Sequence, residues 1–476
     1  MYSYQDSLTK IIATIGPACS SKETLRKMIM EGLDVCRLNF SHGTHEDHEK
    51  VINIIKELNE ELGANIAILV DLQGPKLRIG EIENNQLVLK ESDIIRFVTE
   101  KCIGTAERIY MSYTQFPMDV IPGEIVLVDD GKIKLEVVET NRKDSVSLKV
   151  INGGALSSKK GVNLPNTKIS LPSLTEKDID DVNFALKFDI HLIALSFVRN
   201  VKDIVALKEI IKSSEKDVKV IAKIEKPEAI EAFDDILEYT DGVMVARGDL
   251  GVETPFDKVP VLQKELVHKC IMKAKPVIIA TQMMESMITN FMPTRAEATD
   301  VSNAVLDGAD AVMLSGETSV GKYPVEVIVN MQKVIDATEA SGFYLNHDYT
   351  PDKNSPTYIS DSICFNACKM AELVEAVGIV VFSFGGGTVL KIASHRPSSK
   401  IFAFTSGDHV MKQSSIIRGV SAFQLGEIVN VNDAIDQATD MLRKKGLVNK
   451  GDKLVFVAGI PMPKREPVNM VKISVV

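Results

Sequence analysis

The amino-acid sequence predicts an α/β protein built on a closed (β/α)₈ barrel, with an inserted all-β lid domain and a C-terminal open α/β domain. Eight short β-branched runs each precede a helix-like stretch, which is typical of a parallel sheet covered by helices. Eight such units indicate a barrel of the TIM type rather than an open sheet. The predicted domains are the barrel at residues 1–70 and 170–345, the insert at 71–169 and the C-terminal domain at 346–476.

Helix signals lie between the predicted barrel strands. Ser21 is placed to cap a helix that ends before Gly32. Thr175, followed three residues later by Asp178, opens a helix that we expect to reach Phe188. The predicted strands are Ile11–Ile15, Val35–Leu38, Ile66–Asp71, His191–Ser196, Val218–Ile224, Gly242–Ala246, Val277–Thr281 and Ala311–Ser315.

The insert after the third strand is far longer than the roughly 2–6 residues expected of a βα loop. Its apolar residues alternate with polar ones, and Asp130-Gly131 is a hairpin signal, so we expect a small β-barrel. This position lies over the carboxyl ends of the barrel strands, where barrel active sites are found, and favours a lid over a decorative insertion. The strands predicted in it are Leu87–Leu89, Ile94–Thr99, Ile125–Leu127 and Ile133–Val138.

The C-terminal part begins with a polar linker, His347 to Ser355, followed by an amphipathic helix, Tyr358–Glu375. Its predicted strands are Ile379–Phe384, Ile401–Phe404 and Leu454–Val457. A glycine-rich connection between a strand and a helix offers free amide N–H groups to an anion, although a plain flexible turn is the alternative. The candidate effector residues in it are Ser383, Gly385, Gly386, Gly387 and Thr388.

Composition limits the classes of function. Lys and Arg number 55 and Asp and Glu 65, a net charge of −10, which argues against nucleic acid as a partner. No apolar run is long enough for a membrane span, and Met1 to Lys10 lacks the apolar core of a signal peptide, so we expect a cytoplasmic protein with no membrane partner. The six cysteines lack metal-site spacing, and Cys364 and Cys368 are expected in the core.

Charged residues at the ends of the fifth and sixth strands are the strongest sign of chemistry. Lys223 and Glu225 are two residues apart and therefore project to the same side. On their own, these two residues fit a structural ion pair as well as they fit a catalytic site. Asp249 follows the next strand beside Gly248, whose amide, with that of Asp249, suits an anionic carboxylate. Glu225 and Asp249 together suit Mg²⁺, which prefers carboxylate oxygens.

Other polar residues follow neighbouring strands. Arg37 is a fixed cation suited to a phosphate, and Thr281 adds a hydroxyl at the same rim. The first strand leads to Thr14 and Pro17, and Lys160 lies where the insert rejoins the barrel. Each of these residues alone is weak evidence for a functional site. Because all of them are expected at one face of the barrel, together they predict an active site there.

These motifs resemble the pyruvate kinase family over essentially the whole chain. The resemblance rests on Val220–Glu228 with its Lys-Ile-Glu, on Arg37–Gly43, Ala246–Gly251, Ala280–Met283, Pro293–Glu297 and Leu314–Thr318. It implies transfer of the phosphoryl group of phosphoenolpyruvate to ADP, which gives pyruvate and ATP in glycolysis. It also implies a homotetramer and activation by a sugar phosphate at the glycine-rich connection.

The resemblance also implies a role for each matching residue. Lys223 would contact the transferring phosphoryl group and the enolate, and Arg37 would bind the phosphate. Glu225 and Asp249 would hold Mg²⁺, while the amides of Gly248 and Asp249 and the Thr281 hydroxyl would hold the substrate carboxylate. A water relay near Thr281 is as suitable a proton donor to the enolate as the hydroxyl itself. The implied nucleotide contacts are Thr14, Pro17, His42, Arg78 and Lys160.

A last motif concerns a monovalent cation. The family's K⁺ site would match Asn39, Ser41, Asp71 and the Leu72 carbonyl. K⁺-dependent members carry a glutamate where this chain has Lys76, so the sequence resembles the K⁺-independent branch found in bacteria. The Lys76 ammonium would then supply the positive charge itself.

Two other functions fit parts of the pattern. A lyase that handles pyruvate enolates would keep the barrel and Mg²⁺ but need no nucleotide, and Arg78 and Lys160 argue against it. A catalytically silent regulatory homologue would have lost a key group, yet Lys223, Glu225 and Asp249 are all present. ADP-dependent pyruvate release separates the three hypotheses.

Overall fold

The computed structural model describes residues 7–343, 349–426, 430–464 and 466–476. The first six residues, the predicted boundary at residue 345 and His347 of the predicted linker lie outside the described residues. Short 3₁₀ turns, apart from the helices named below, are Glu83–Asn85, Glu285–Ile288, Ser414–Ile416 and Met462–Lys464.

The chain opens with two βα units and a third strand, as the sequence predicts. Ser21 caps the first helix, its hydroxyl accepting the Thr24 N–H at 3.2 Å. Thr44 forms a capping box with Asp47 at the start of the second helix. The elements are β1 (Lys10–Thr14), α1 (Lys22–Met30), β2 (Val35–Asn39), α2 (His45–Leu62) and β3 (Ala67–Asp71).

The insert is a β domain with its own core. The four predicted strands are present, and positive φ angles at Asp129, Asp130 and Gly131 turn the chain between the third and fourth of them. Six strands form one sheet and two more form a separate pair. One short helix lies between the third and fourth strands of the insert in chain order. The elements are β4 (Leu87–Leu89), β5 (Ile94–Val98), β6 (Arg108–Tyr110), α3 (Phe116–Asp119), β7 (Ile125–Val128), β8 (Ile133–Thr140), β9 (Ser145–Asn152), β10 (Gly154–Leu156) and β11 (Val162–Asn163).

The rest of the barrel closes the parallel sheet in the order β1-β16-β15-β14-β13-β12-β3-β2. The helix predicted from Thr175 has its capping box with Asp178 but ends at Ala185, and Phe188 packs beside Phe184 in the turn that follows. The elements are α4 (Glu176–Ala185), β12 (Leu192–Leu195), α5 (Val201–Ser213), β13 (Lys219–Ile224), α6 (Pro227–Glu231), α7 (Phe233–Tyr239), β14 (Gly242–Ala246), α8 (Arg247–Glu253), α9 (Val259–Met272), β15 (Val277–Ala280), α10 (Arg295–Leu306), β16 (Ala311–Leu314), α11 (Gly316–Ser319) and α12 (Pro324–Ala340).

The C-terminal part is an open sheet with strand order β19-β18-β17-β20-β21, in which only the edge pair β20–β21 is antiparallel. Two of its strands, β19 and β21, were not predicted. The elements are α13 (Tyr358–Leu373), β17 (Gly378–Phe382), α14 (Gly387–Ser394), β18 (Lys400–Thr405), α15 (Asp408–Gln413), β19 (Val420–Gln424), α16 (Val431–Lys444), β20 (Lys453–Ala458) and β21 (Met470–Val475).

The two ends of the barrel face different domains. The insert continues from the carboxyl end of β3, whereas the C-terminal sheet packs against the amino ends of the strands. Two ion pairs connect the domains here: the largely covered side chain of Arg396 lies 2.7 Å from Asp310, and buried Arg418 lies 2.8 Å from Glu339. Among the described residues, no helix has the length and apolar character needed to cross a membrane.

Candidate active site

A buried ionic cluster lies at the carboxyl ends of β2, β3, β12 and β13. The Lys223 ammonium lies 3.0 Å from Asp71 Oδ1, 3.0 Å from Glu225 Oε1 and 2.7 Å from Ser196 Oγ. Arg37 donates from Nε to Asp71 Oδ2 at 2.7 Å. Burial alone would raise the pKa of Asp71, but the charges of Lys223 and Arg37 hold that pKa below its ordinary value. Asp71 therefore stays ionised between two cations.

Glu225 and Asp249 place two carboxylates beside this cluster. Glu225 is 1% exposed, and its Oε2 accepts the Phe197 N–H at 2.7 Å. Burial raises the pKa of Glu225; Lys223 opposes this rise, and the Asp249 carboxylate adds to it. Two carboxylate groups that repel each other are a fitting donor set for a hard divalent cation such as Mg²⁺.

Thr281 follows β15 and lies beside Gly248. Its hydroxyl accepts the Gly248 N–H at 2.7 Å and donates to the Ala280 carbonyl at 2.6 Å. Thr281 and Gln282 have φ angles of 68° and 56°, in the left-handed region that side chains other than glycine seldom occupy. The Arg247 guanidinium donates to the Thr281 carbonyl at 2.7 Å and so supports this strained turn.

The predicted nucleotide contacts lie in different surroundings. Thr14 Oγ1 accepts from Arg37 at 2.6 Å, so it belongs to the ionic cluster. Arg78 pairs with Gly161 next to Lys160, whose ammonium lies 2.8 Å from Asp129. Exposed Pro17 leaves the end of β1.

His42 lies in a positively charged environment. Burial lowers its pKa, and the charges of Arg78, Lys76 and Arg37 lower it further. The imidazole is therefore held neutral, with three cations nearby. Such a surface is suited to the phosphates of a nucleotide.

The residues predicted around a monovalent cation have other partners in this structure. Asn39 Oδ1 accepts the Ser41 N–H at 3.1 Å, and the Leu72 carbonyl accepts the Ser196 hydroxyl at 2.6 Å. Lys76 is exposed at the cleft, and its charge reaches His42. Within the described ranges, no carboxylate oxygen lies within 4.0 Å of the Lys76 ammonium.

A cleft of about 700 Å³ opens between the insert and the barrel, with Lys76 and Asp130 on one side and Asp249 on the other. Next to it, Glu253 Oε1 accepts from Lys226 at 2.6 Å and from Asn163 of β11 at 2.9 Å. This contact ties the insert to α8, the helix that carries Asp249.

The glycine-rich connection after β17 lines a cavity of about 450 Å³ in the C-terminal domain. Gly386 has a φ of 78°, and its N–H donates to Ser383 Oγ at 3.1 Å. Gly387 then begins α14, and Gly385, Gly387 and Thr388 face the cavity. Glu466 also lines this cavity, and its negative charge limits which anions could bind there.

A second possible metal cluster lies at the opposite end of the barrel, where Asp189, His191 and His409 come together. The Ile68 N–H donates to His191 Nδ1 at 3.0 Å, which puts the proton of the neutral ring on Nε2. A metal would need the Nε2 lone pair. Lys412 already lies 3.0 Å from Asp189. We therefore interpret the cluster as a polar contact between domains.

Several residues of the site were not predicted from the sequence. Ser196, the Phe197 amide and Arg247 orient groups that were predicted, and Asp71 proves to be the carboxylate shared by Arg37 and Lys223. The Ser-Phe pair directly after a buried strand was the available signal for the first two.

The chain matches known pyruvate kinases over nearly its whole length. The family model for the pyruvate kinase barrel domain matches residues 7–328, and that for the pyruvate kinase alpha/beta domain matches residues 361–474. The chain is 40% identical over 470 residues to a pyruvate kinase of Geobacillus stearothermophilus, covering 98% of this chain and 80% of that protein. It is 41% identical over 469 residues to one of Corynebacterium glutamicum, covering 98% and 97%.

The fold agrees with these matches. The crystal structure of a pyruvate kinase from Cryptosporidium parvum superimposes with a TM-score of 0.91 at 36% identity, covering 99% of this chain and 96% of that one. The chain belongs to the pyruvate kinase family, whose members are phosphotransferases.

Proposed function

We propose that the protein transfers the phosphoryl group of phosphoenolpyruvate to ADP in the cleft between barrel and insert. The observation that carries this proposal is the buried Lys223, held by Asp71, Glu225 and Ser196 at the carboxyl end of the barrel. In the reaction, the bond between phosphorus and the enol oxygen breaks, and a bond forms to a β-phosphate oxygen of ADP. The enolate left behind takes up a proton on carbon and becomes pyruvate.

Lys223 and Arg37 neutralise the charge on the transferring phosphoryl group. Arg37 donates from Nε to Asp71 and from Nη1 to Thr14. Among the described residues, its Nη2 has no hydrogen-bond partner. That nitrogen is available to a phosphate oxygen. Asp71 fixes both cations, so little reorganisation is needed at the transition state.

Glu225 and Asp249 are the ligands proposed for Mg²⁺. When bound, Mg²⁺ supplies positive charge to the phosphate and enolate oxygens. Glu225 is already oriented by the Phe197 amide, and Asp249 by the helix that Glu253 and Asn163 tie to the insert.

Gly248, Asp249 and Thr281 are proposed to hold the substrate carboxylate. The Gly248 amide now donates to the Thr281 hydroxyl, so a bound carboxylate would share or replace that contact. Either the Thr281 hydroxyl or a water beside it delivers the proton to the enolate.

Thr14, Pro17, His42, Arg78 and Lys160 are the proposed nucleotide contacts. The cations around His42 favour the ADP phosphates on this side of the cleft. Lys160 would have to exchange its contact with Asp129 for a phosphate oxygen, at the cost of one exposed ion pair.

We also propose independence from K⁺. Asn39, Ser41, Asp71 and the Leu72 carbonyl would form the K⁺ site in relatives that need the ion. Here Lys76 stands at the cleft without a carboxylate partner among the described residues, and its ammonium is suited to supply that charge.

Four further parts of the proposal rest on the resemblance to the family. The cavity beside Ser383 and Gly385–Thr388 would bind a sugar phosphate effector, and the protein would act in glycolysis in the cytoplasm as a homotetramer. A coupled assay for pyruvate tests the function. The lyase hypothesis predicts pyruvate formation without ADP, and the silent homologue predicts no turnover at all.

A further inference from the structure

A cavity of about 330 Å³ lies between the amino ends of the barrel strands and the C-terminal domain. Its barrel wall is formed where β12 to β15 begin, and its other wall by Gly385–Gly387 with α14 and α15. It lies on the inner side of the glycine-rich connection, whereas the proposed effector cavity lies on the outer side. The site proposed for catalysis is at the other end of the barrel.

One cation of this inner cavity, Lys275, has no carboxylate in contact among the described residues. The Lys275 ammonium donates to the Thr240 carbonyl at 2.6 Å, and no carboxylate oxygen of the described ranges lies within 4.0 Å of it. Burial lowers the pKa of Lys275, and the charge of nearby Asp241 offsets this only in part.

The other charged groups around the cavity are already paired. The side chains of Lys219, Lys273 and Lys391 contact Asp217, Glu238 and Asp361, respectively. The carboxylate of Asp241 accepts from Lys208 at 3.0 Å and from the Val220 N–H at 2.8 Å. Among the described residues that line the cavity, Lys275 is therefore the cation without a carboxylate in contact, and an anion bound there would supply the missing negative charge.

The remaining lining is largely apolar. Ile221, Leu390, Val410 and Ile417 come from both domains and offer contact to a carbon skeleton rather than to water. Gln413, which lines the cavity, donates to the Asp217 carbonyl at 2.6 Å and so connects the two domains beside it.

We propose that this inner cavity binds a small metabolite that combines one anionic group, placed on Lys275, with an apolar body. A phosphate and a carboxylate both fit the charge. The ligand would touch Ile221 of β13, the strand whose carboxyl end carries Lys223, and would contact both domains at once. It is a second regulatory site, separate from the effector cavity.

The absence of tryptophan from the sequence gives a direct test. Leu390→Trp places a single fluorescent reporter in the inner cavity, and Val410→Trp provides a second one if the first variant does not fold. The full-length reporter protein is titrated with inorganic phosphate, a hexose monophosphate, a nucleoside monophosphate and an aromatic carboxylic acid. We expect saturable changes in emission with the nucleoside monophosphate or the aromatic carboxylic acid, whose rings supply the apolar body, and none with inorganic phosphate or the hexose monophosphate, which lack one.

Three variants in the reporter background locate the ligand. Lys275→Gln should weaken binding at least about tenfold, which is about 1.4 kcal/mol. Lys269→Gln, a matched change on α9 of a lysine paired with Asp234 outside the cavity, should leave it unchanged. Thr388→Ala, which alters only the outer cavity, should also leave it unchanged.

Two results would overturn the proposal. The first is an emission that none of the four compounds changes at millimolar concentration, in both reporter proteins. The second is binding that survives Lys275→Gln but is lost with Thr388→Ala, which would place the ligand in the outer cavity. A response to the nucleoside monophosphate alone, or to the carboxylic acid alone, identifies the anionic group.

Discussion

Replacing Lys223 with methionine tests the central cation of the proposed site. The change keeps most of the side-chain volume but removes an ammonium that lies within 3.0 Å of Asp71 and Glu225. Removing one preorganised donor from a site of developing negative charge costs about 10²–10³ in kcat. Because Lys223 carries a full charge in a buried site, we expect a loss of at least about 10³, or about 4 kcal/mol.

The same change should also cost stability. Breaking a buried ion pair typically costs about 3–5 kcal/mol, because a carboxylate is left without its cation. Here Arg37 still neutralises Asp71, and Glu225, whose pKa burial already raises, can take up a proton. We therefore expect a cost near the lower end, about 3 kcal/mol, with the fold retained.

The assay measures pyruvate formation at saturating phosphoenolpyruvate, ADP and Mg²⁺, and urea unfolding is followed in parallel. The control is Lys10→Met, which removes a lysine paired with Asp34 at 3.2 Å at the opposite end of the barrel. The control should lose some stability and keep its kcat. If Lys223→Met retained a kcat within tenfold of the parent protein, the role assigned to Lys223 would be wrong.

Four other predictions follow from particular contacts. Glu225→Gln should raise the Mg²⁺ concentration needed for half-maximal activity about tenfold or more, since an amide is a weaker ligand than a carboxylate; an unchanged requirement places the ion elsewhere. The parent protein should be active in K⁺-free buffer containing a tetraalkylammonium salt, and Lys76→Glu should lower that activity and make it respond to K⁺; collapse of the parent activity without K⁺ contradicts this. Gly386→Asp with Thr388→Ala should reduce activation by sugar phosphates through charge repulsion, and equal activation in both proteins excludes this effector site. Burial raises the pKa of Cys19 to about 11 and the five buried thiols stay protonated, so only Cys102 should react with a disulfide reagent at pH 8 before unfolding; rapid reaction of further thiols would contradict the described packing.

The barrel could be predicted because its strands are buried on both faces and leave continuous apolar runs in the sequence. The strands that were not predicted are those in which the apolar run is short or interrupted. In the edge strand β21, Lys472 and Ser474 interrupt the apolar residues and are exposed or half-exposed, so this strand lacks an apolar run. In the insert, β11 has only two residues and is defined by its pairing with β7, a contact distant in sequence.

The predicted site residues were found because polar side chains follow apolar strands at one end of the barrel. Their partners could not be predicted in the same way. That Asp71 would lie between Arg37 and Lys223 depends on the register of β2, β3, β12 and β13, which periodicity does not give. The tie between Asn163 and Glu253 depends likewise on how the insert docks on the barrel.

The most direct test of the central claim follows the transferred phosphorus itself. Phosphorus NMR of the purified protein with phosphoenolpyruvate, ADP and Mg²⁺ should show the signal of phosphoenolpyruvate falling as the γ-phosphate signal of ATP rises in equal amount. The exchange should stop when ADP or Mg²⁺ is omitted and should be absent in Lys223→Met. Release of inorganic phosphate without ATP, or no reaction with all components present, would contradict the proposed function.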